Sequence, residues 1–182
     1  MKKLIKIFVK EIVPIIVGIL IAMYINNWND NRKDKKYIDQ ISLSINNELI
    51  AANKEIKDKI PLQKAMIDTL DSYLNDDKIS LYSIIIKGNG LHFPSIKMNS
   101  WKAISYSRIE LLDYDKISDL ADIEEQKDIL KTKKNKLIDL VYPNLYKTEK
   151  ENKQIMKIMM MDILHTEKTM QEQIEHHIGT FK

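Results

Sequence analysis

The sequence predicts an all-α protein, a single N-terminal transmembrane helix followed by an antiparallel helical bundle of about four long helices. Three observations lead there. Residues 12–25 form an uncharged, apolar run between charged flanks. The chain has only four Gly and four Pro against 30% charged residues, which favours helices over loops. Downstream, apolar residues recur at spacings of three and four, the period of a helix face. The expected domains are an anchor over residues 1–28 and a soluble bundle over residues 29–182.

The apolar run is 14 residues long, short of the roughly 20 that a spanning helix needs. Its flanks extend it. Phe8 and Val9 add apolar surface, Lys6 and Lys10 can lay their stems along it, and Trp28 stands where an interfacial aromatic belongs. From Leu4 to Trp28 a helix reaches roughly 37 Å, at about 1.5 Å per residue. That exceeds a hydrocarbon core of about 30 Å. The Ile, Leu and Val residues of the run favour insertion by roughly 3 to 5 kcal/mol in total. Bulky Met23-Tyr24-Ile25 is unlike the small residues of a signal-peptidase site, so the anchor is expected to be retained. Pro14 is expected to kink the run near its start. Pro14, Gly18, Ala22 and Asn26 fall four apart, a stripe on which a second membrane helix can pack closely.

Residues 38–60 predict a helix, with Ile38, Ile41, Ile45, Leu49, Ala52, Ile56 and Ile60 on one face. The face repeats after 11 residues, so it supercoils little. Pro61 is expected to end it, because the residue before Pro avoids helical dihedrals. A second helix is expected over residues 62–75, with Leu62, Met66, Leu70 and Tyr73 on its buried face. Residues 80–87 are short and apolar, and periodicity leaves helix and strand both open. Gly88-Asn89-Gly90 signals a turn, and a loop to Met98 follows. Residues 101–107 predict a short helix. Residues 115–141 predict a long one, with Leu120, Ile123, Leu130, Leu137 and Val141 near heptad spacing and Lys127 and Lys134 interrupting the seam. Tyr142-Pro143 is expected to bend the chain, and a last helix is expected from Pro143 to a stop near Gly179.

Charge and chemistry narrow the function. The net charge is +3. Four Lys lie in the first ten residues, and residues 12–182 hold 25 basic and 25 acidic groups. A neutral body has no surplus basic surface for nucleic acid. There is no Cys, which removes disulfides, thiolate metal sites and Cys nucleophiles. No Gly-x-Ser-x-Gly elbow or phosphate-cradling Gly loop occurs. Asp162, His165, Glu172, Glu175, His176 and His177 crowd the last helix, but no Glu-x-x-His of the di-iron bundles is present. They are expected to form a solvated helix end. Met156, Met159, Met160 and Met161 are expected to belong to a flexible helix core. No enzyme activity, cofactor or metal is expected.

Two segments resemble a bacterial family of uncharacterised membrane-anchored helical proteins carrying a domain of unknown function. The first comprises Glu11-Ile12-Val13, then Gly18-Ile19-Leu20-Ile21-Ala22, then Asn26-Asn27-Trp28-Asn29-Asp30-Asn31-Arg32-Lys33. The family typically opens Gly-Glu-Ile and continues through Gly-Ile-x-Ile-Ala to Asn-Asn-Trp-Asn-x-x-Arg-Lys. Lys10 stands here in place of the Gly, and Pro14 is a departure. Ser100-Trp101-Lys102-Ala103-Ile104 and Ile109-Glu110-Leu111-Leu112 are a fainter second likeness. The resemblance implies a helical, membrane-tethered protein of unknown role and implies no activity; the expected location is the bacterial inner membrane.

The expected function follows. It is a non-enzymatic single-pass protein that binds a protein partner, or its own copies, beside membrane lipid. Lys10, Trp28, Arg32 and Lys33 would sit at the interface. The alternative is a sensor holding a small ligand near the loop from Gly88 to Met98 and signalling through a membrane partner. Lys and Arg balance across the anchor. A ten-residue N-terminus is easily retained in the cytoplasm, so the soluble domain is expected in the periplasm.

Overall fold

The computed structural model describes the backbone of residues 2–181 and the side chains of residues 8–181. It contains α1 (Lys2–Ser72), α2 (Leu81–Lys87), α3 (Asn99–Ser105), a 3-10 turn (Ile109–Leu111), α4 (Tyr114–Asn144) and α5 (Lys150–Thr180). No strand occurs among the described residues. The all-α class is therefore as expected. The chain's internal contacts divide it into two units between Ser42 and Leu43.

The first unit is helical throughout its described length. Its residues 8–25 keep their side chains in the open, and one window of 18 residues reaches a mean hydropathy of 2.2 with none of it buried. The Asn-rich segment does not break the helix. Asn26 donates to Asp30 at 3.4 Å and Lys33 pairs with Asp30 at 3.3 Å. These are one-turn contacts that each add a few tenths of a kcal/mol.

The second unit is built on three long helical stretches, residues 43–72 of α1, α4 and α5. Asn53 and Lys57 meet Glu175, Gln63 meets Glu167, and Asp71 meets Lys157. As numbers rise on α1 they fall on α5, so the two run antiparallel. Lys133 meets Asp162, and Asp119 meets His177, which makes α4 antiparallel to α5 as well. The core joins Met66, Leu70, Leu81, Ile84, Leu137, Met156, Met160 and Ile163. Further along, Ile45, Leu49, Ala52, Ile56, Leu120, Ile123, Met170 and Ile174 continue it.

Three short pieces close the unit. Ser80 caps α2 by accepting from the Ser83 N–H. The first two N–H groups of α2 then donate to the carbonyls of Lys147 and Leu145, in the α4–α5 connection. These bonds and the cap settle residues 81–87 as helix. α3 is tied by Trp101, whose Nε1 donates to Glu124 at 2.6 Å, and by the Ser100 N–H, which donates to Glu48 at 3.1 Å.

Two prolines do not act as expected. α1 continues through Pro61, so the helices expected over 38–60 and 62–75 are one. Pro61 removes only the bond to the Lys57 carbonyl, and both residues lie on the exposed side, where water can take that carbonyl. The buried stripe passes behind them, from Ile56 to Gln63, Met66 and Leu70. Leu62, expected in the core, is 38% exposed. Pro143 lies inside the last turns of α4 rather than starting the next helix, and α5 begins at Lys150. Gly179 does not stop α5, which runs one residue further to Thr180.

Pro61→Ala restores the missing bond in an unbroken helix. The expected outcome is a gain of about 1–2 kcal/mol by urea denaturation, the helix-interior cost of Pro less its restraint on the unfolded chain. A helix that stopped at Ile60 would give no gain. Gly88→Ala runs the other way. Its new Cβ would fall inside the contact radius of Met66 Sδ, and a loss of about 1–3 kcal/mol is expected in the same assay.

Candidate functional site

Pro14, Gly18, Ala22 and Asn26 share α1 with Lys10, Trp28, Arg32 and Lys33. A Cβ added at Gly18 would meet nothing within 4 Å, so the stripe is open to an approaching helix. Trp28 is 59% exposed, and Arg32 and Lys33 are exposed beside it. The side chains of Lys2, Lys3 and Lys6 lie outside the described residues.

A buried polar cluster escaped the sequence reading. Gln63 is 1% exposed and Glu167 fully buried. The Gln63 amide donates to Glu167 Oε1 at 2.8 Å and to the His92 carbonyl at 2.9 Å. One side chain of α1 thus holds α5 and the loop after α2 together. Gln63 Oε1 and Glu167 Oε2 are left without partners. Burial pushes the Glu167 carboxyl up to about 7, and the Gln63 hydrogen bond offsets only part of that rise. A buried Lys153 donates to the Asp76 carbonyl just past the end of α1. Lys157 pairs with Asp71 in the last turn of α1, so two cations serve its carbonyl end.

The end of α5 is not uniformly solvated, and here the expectation needs correcting. His177 is buried against Phe181, with ring centroids 4.9 Å apart. Its Nδ1 stands 3.4 Å from Asp119 Oδ2, too far for a strong hydrogen bond. Burial therefore prevails over the carboxylate and lowers the imidazole below its ordinary range. Glu175 is exposed as expected. Lys57, then Gln171 and Asn53, donate to it and hold its carboxyl down to about 2. Among the described residues, no three His, Asp or Glu side chains converge as metal ligands. Met156 and Met160 are core residues, while Met161 is half-exposed.

The loop from Gly88 to Met98 borders two cavities. It starts in a turn with Asn89 at φ 61° and Gly90 at φ 91°, the left-handed region that Asn and Gly enter most readily. His92 Nε2 closes on the Asn89 carbonyl at 2.8 Å. One cavity, of about 240 Å³, is walled by Phe93, Pro94, Ile96 and three lysines of α4, Lys127, Lys131 and Lys134. The other, of about 380 Å³, is walled by Ile85, Leu91, Phe93, Ile138, Tyr142 and Leu145. Both are within or near the size range of small-molecule sites. Lys127 and Lys134, the expected breaks in the seam, line the smaller cavity.

No family model, curated protein or solved structure matches the chain.

The raised Glu167 carboxyl makes stability depend on pH. Folding favours its protonated form, so this contribution is complete below the unfolded value of 4.5. It is lost as pH rises through about 7. Urea titrations from pH 5 to pH 8 should show a fall of roughly 3 kcal/mol at most from this group. Glu167→Gln, which keeps an acceptor for Gln63, should abolish most of that fall.

Proposed function

We propose that the chain is a non-enzymatic, single-pass protein of the bacterial inner membrane, whose helical body binds a protein partner or further copies of itself. The observation that carries this is the apolar surface of residues 12–25, which lies open among the described residues. A core helix of a soluble protein would be buried, and an 18-residue apolar window in water is costly. Lipid is the solvent that suits it. In this reading Lys10, Trp28, Arg32 and Lys33 sit at the membrane surfaces, and Lys10 and Trp28 bracket the lipid-facing run. Pro14, Gly18, Ala22 and Asn26 face a second membrane helix. The soluble body lies in the periplasm.

A second reading is supported by the cavities beside the loop from Gly88 to Met98. There the body takes up a small ligand and passes its state to a membrane partner.

The full chain should stay with membranes after alkaline carbonate washing. Val17→Asp combined with Leu20→Asp should release most of it. Trp28→Ala with Arg32→Ala should reduce either membrane retention or recovery of a crosslinked partner. Quantitative mass spectrometry of crosslinked native membranes reads both. A carbonate-soluble wild-type chain would falsify the membrane assignment.

A further inference from the structure

The heptad seam of α4 passes through positions 120, 123, 127, 130, 134, 137 and 141. Leu120, Ile123, Leu130, Leu137 and Val141 are buried there. Lys127 and Lys134 occupy the remaining two positions and are only partly buried. With Lys131 they line the smaller cavity. On the same helix Lys116 pairs with Asp113 and Lys133 with Asp162. Among the described residues, none of Lys127, Lys131 and Lys134 has a carboxylate within ion-pair distance. Three lysines therefore line one cavity with no acid in its wall.

The larger cavity lies further along the same face of α4, at Ile138, Tyr142 and Leu145, and its wall is apolar but for the Tyr142 hydroxyl. Phe93 lines both cavities, so they adjoin at one ring. From Lys131 to Tyr142 the helix rises roughly 17 Å. A cationic cavity beside an apolar one, the two together spanning about that length, asks for one molecule with two ends. A bare inorganic anion would leave the slot empty. A neutral hydrocarbon would leave three charges unanswered.

We infer that the paired cavities bind an anionic, single-tailed amphiphile. Its carboxylate or phosphate monoester head sits among Lys127, Lys131 and Lys134, and its tail passes Phe93 toward Ile138 and Tyr142. Each methylene taken from water adds about 0.8 kcal/mol, so the tail supplies affinity and the head supplies orientation. The head has two sources, a free fatty acid or a lysophospholipid. This inference names the ligand of the second reading above and rests on it. It does not need the membrane anchor to be correct.

The test uses the full chain in phosphatidylcholine nanodiscs with a diazirine-bearing palmitate probe. Adducts are mapped by mass spectrometry after irradiation. Labelling is expected on peptides covering residues 85–96 and 138–146, and excess palmitate or lysophosphatidate should deplete it. Depletion by palmitate alone assigns the carboxylate source, and depletion by lysophosphatidate alone assigns the phospholipid source. Lys131→Gln with Lys134→Gln should cut labelling about fivefold or more, the factor carried by a charge contact of ~1 kcal/mol. Lys131→Arg with Lys134→Arg should retain it. The corresponding neutral alcohol probe should label about fivefold less than the acid. These lysines are on the surface, so circular dichroism should show the Gln variant folded, and its membrane fractionation should be unchanged. Adducts confined to residues 8–25, equal labelling by the alcohol, or an unaffected Gln variant would each overturn the inference.

Discussion

Helix α5 must bury a stripe that includes a lysine, a threonine, a glutamate and a histidine, and the body is arranged around satisfying them. Lys153, Thr166, Glu167 and His177 are all buried, interleaved with Met156, Met160, Ile163, Met170 and Ile174. Each polar group reaches a different neighbour. Lys153 takes a carbonyl beyond the end of α1, and Glu167 takes Gln63 within α1. Thr166 receives Lys133 of α4 at 2.8 Å, and His177 approaches Asp119 of α4. A purely apolar α5 could slide or rotate against its partners at small cost. These contacts fix its register on both sides at once, because a shift of one turn would strand several buried polar groups. Register is won at some expense in stability, since Glu167 remains incompletely satisfied.

The same polar residues mark where sequence reading stopped. Apolar periodicity located α4, with Leu120, Ile123, Leu130, Leu137 and Val141 all buried as expected. Of the face expected over 38–60, Ile45, Leu49, Ala52 and Ile56 are buried, and Ile38, Ile41 and Ile60 only partly so. It failed at Pro61 because the next core position is Gln63, which hydropathy places in water. The stripe then seemed to end where Pro seemed to break it, and the two signals agreed on the wrong conclusion. A heptad step from Ile56 lands on Gln63 and then continues to Met66 and Leu70, so geometry alone held the answer. His177 was missed for a related reason, since two adjacent histidines after a glutamate read as surface while a helix turns only one of them inward. The short elements α2 and α3 depended on tertiary hydrogen bonds to Lys147, Leu145, Glu48 and Glu124, which no local pattern announces.

The long apolar helix at the N-terminal end was legible because it obeys a simpler rule. Residues 12–25 are apolar all round, so no amphipathic face has to be found. An all-round apolar helix needs an apolar environment on every side. Only the flanking residues differ, with Lys10 before the run and Asn26 to Lys33 after it. Asp30 collects both Asn26 and Lys33 within one turn, so the polar groups at that boundary are partly answered within their own helix.

The second unit has three long helical stretches because the helices expected over 38–60 and 62–75 are one, and its cavities beside α4 have a separate cause. A heptad seam fully lined by Leu and Ile wants a helix along its whole length. α4 carries lysine at two of seven seam positions, and a helix packed there would strip both ammonium groups of water at a cost of several kcal/mol each. What covers α4 instead is the loop from Gly88 to Met98, held at His92 by Gln63 and entered through the left-handed turn at Asn89 and Gly90. A loop does not interdigitate with a helix as a second helix does. It touches through Phe93 and Ile96 and leaves the space between them open beside the lysines. The seam breaks and the cationic cavity therefore go together, and Gln63 anchors both α5 and the loop that walls that cavity.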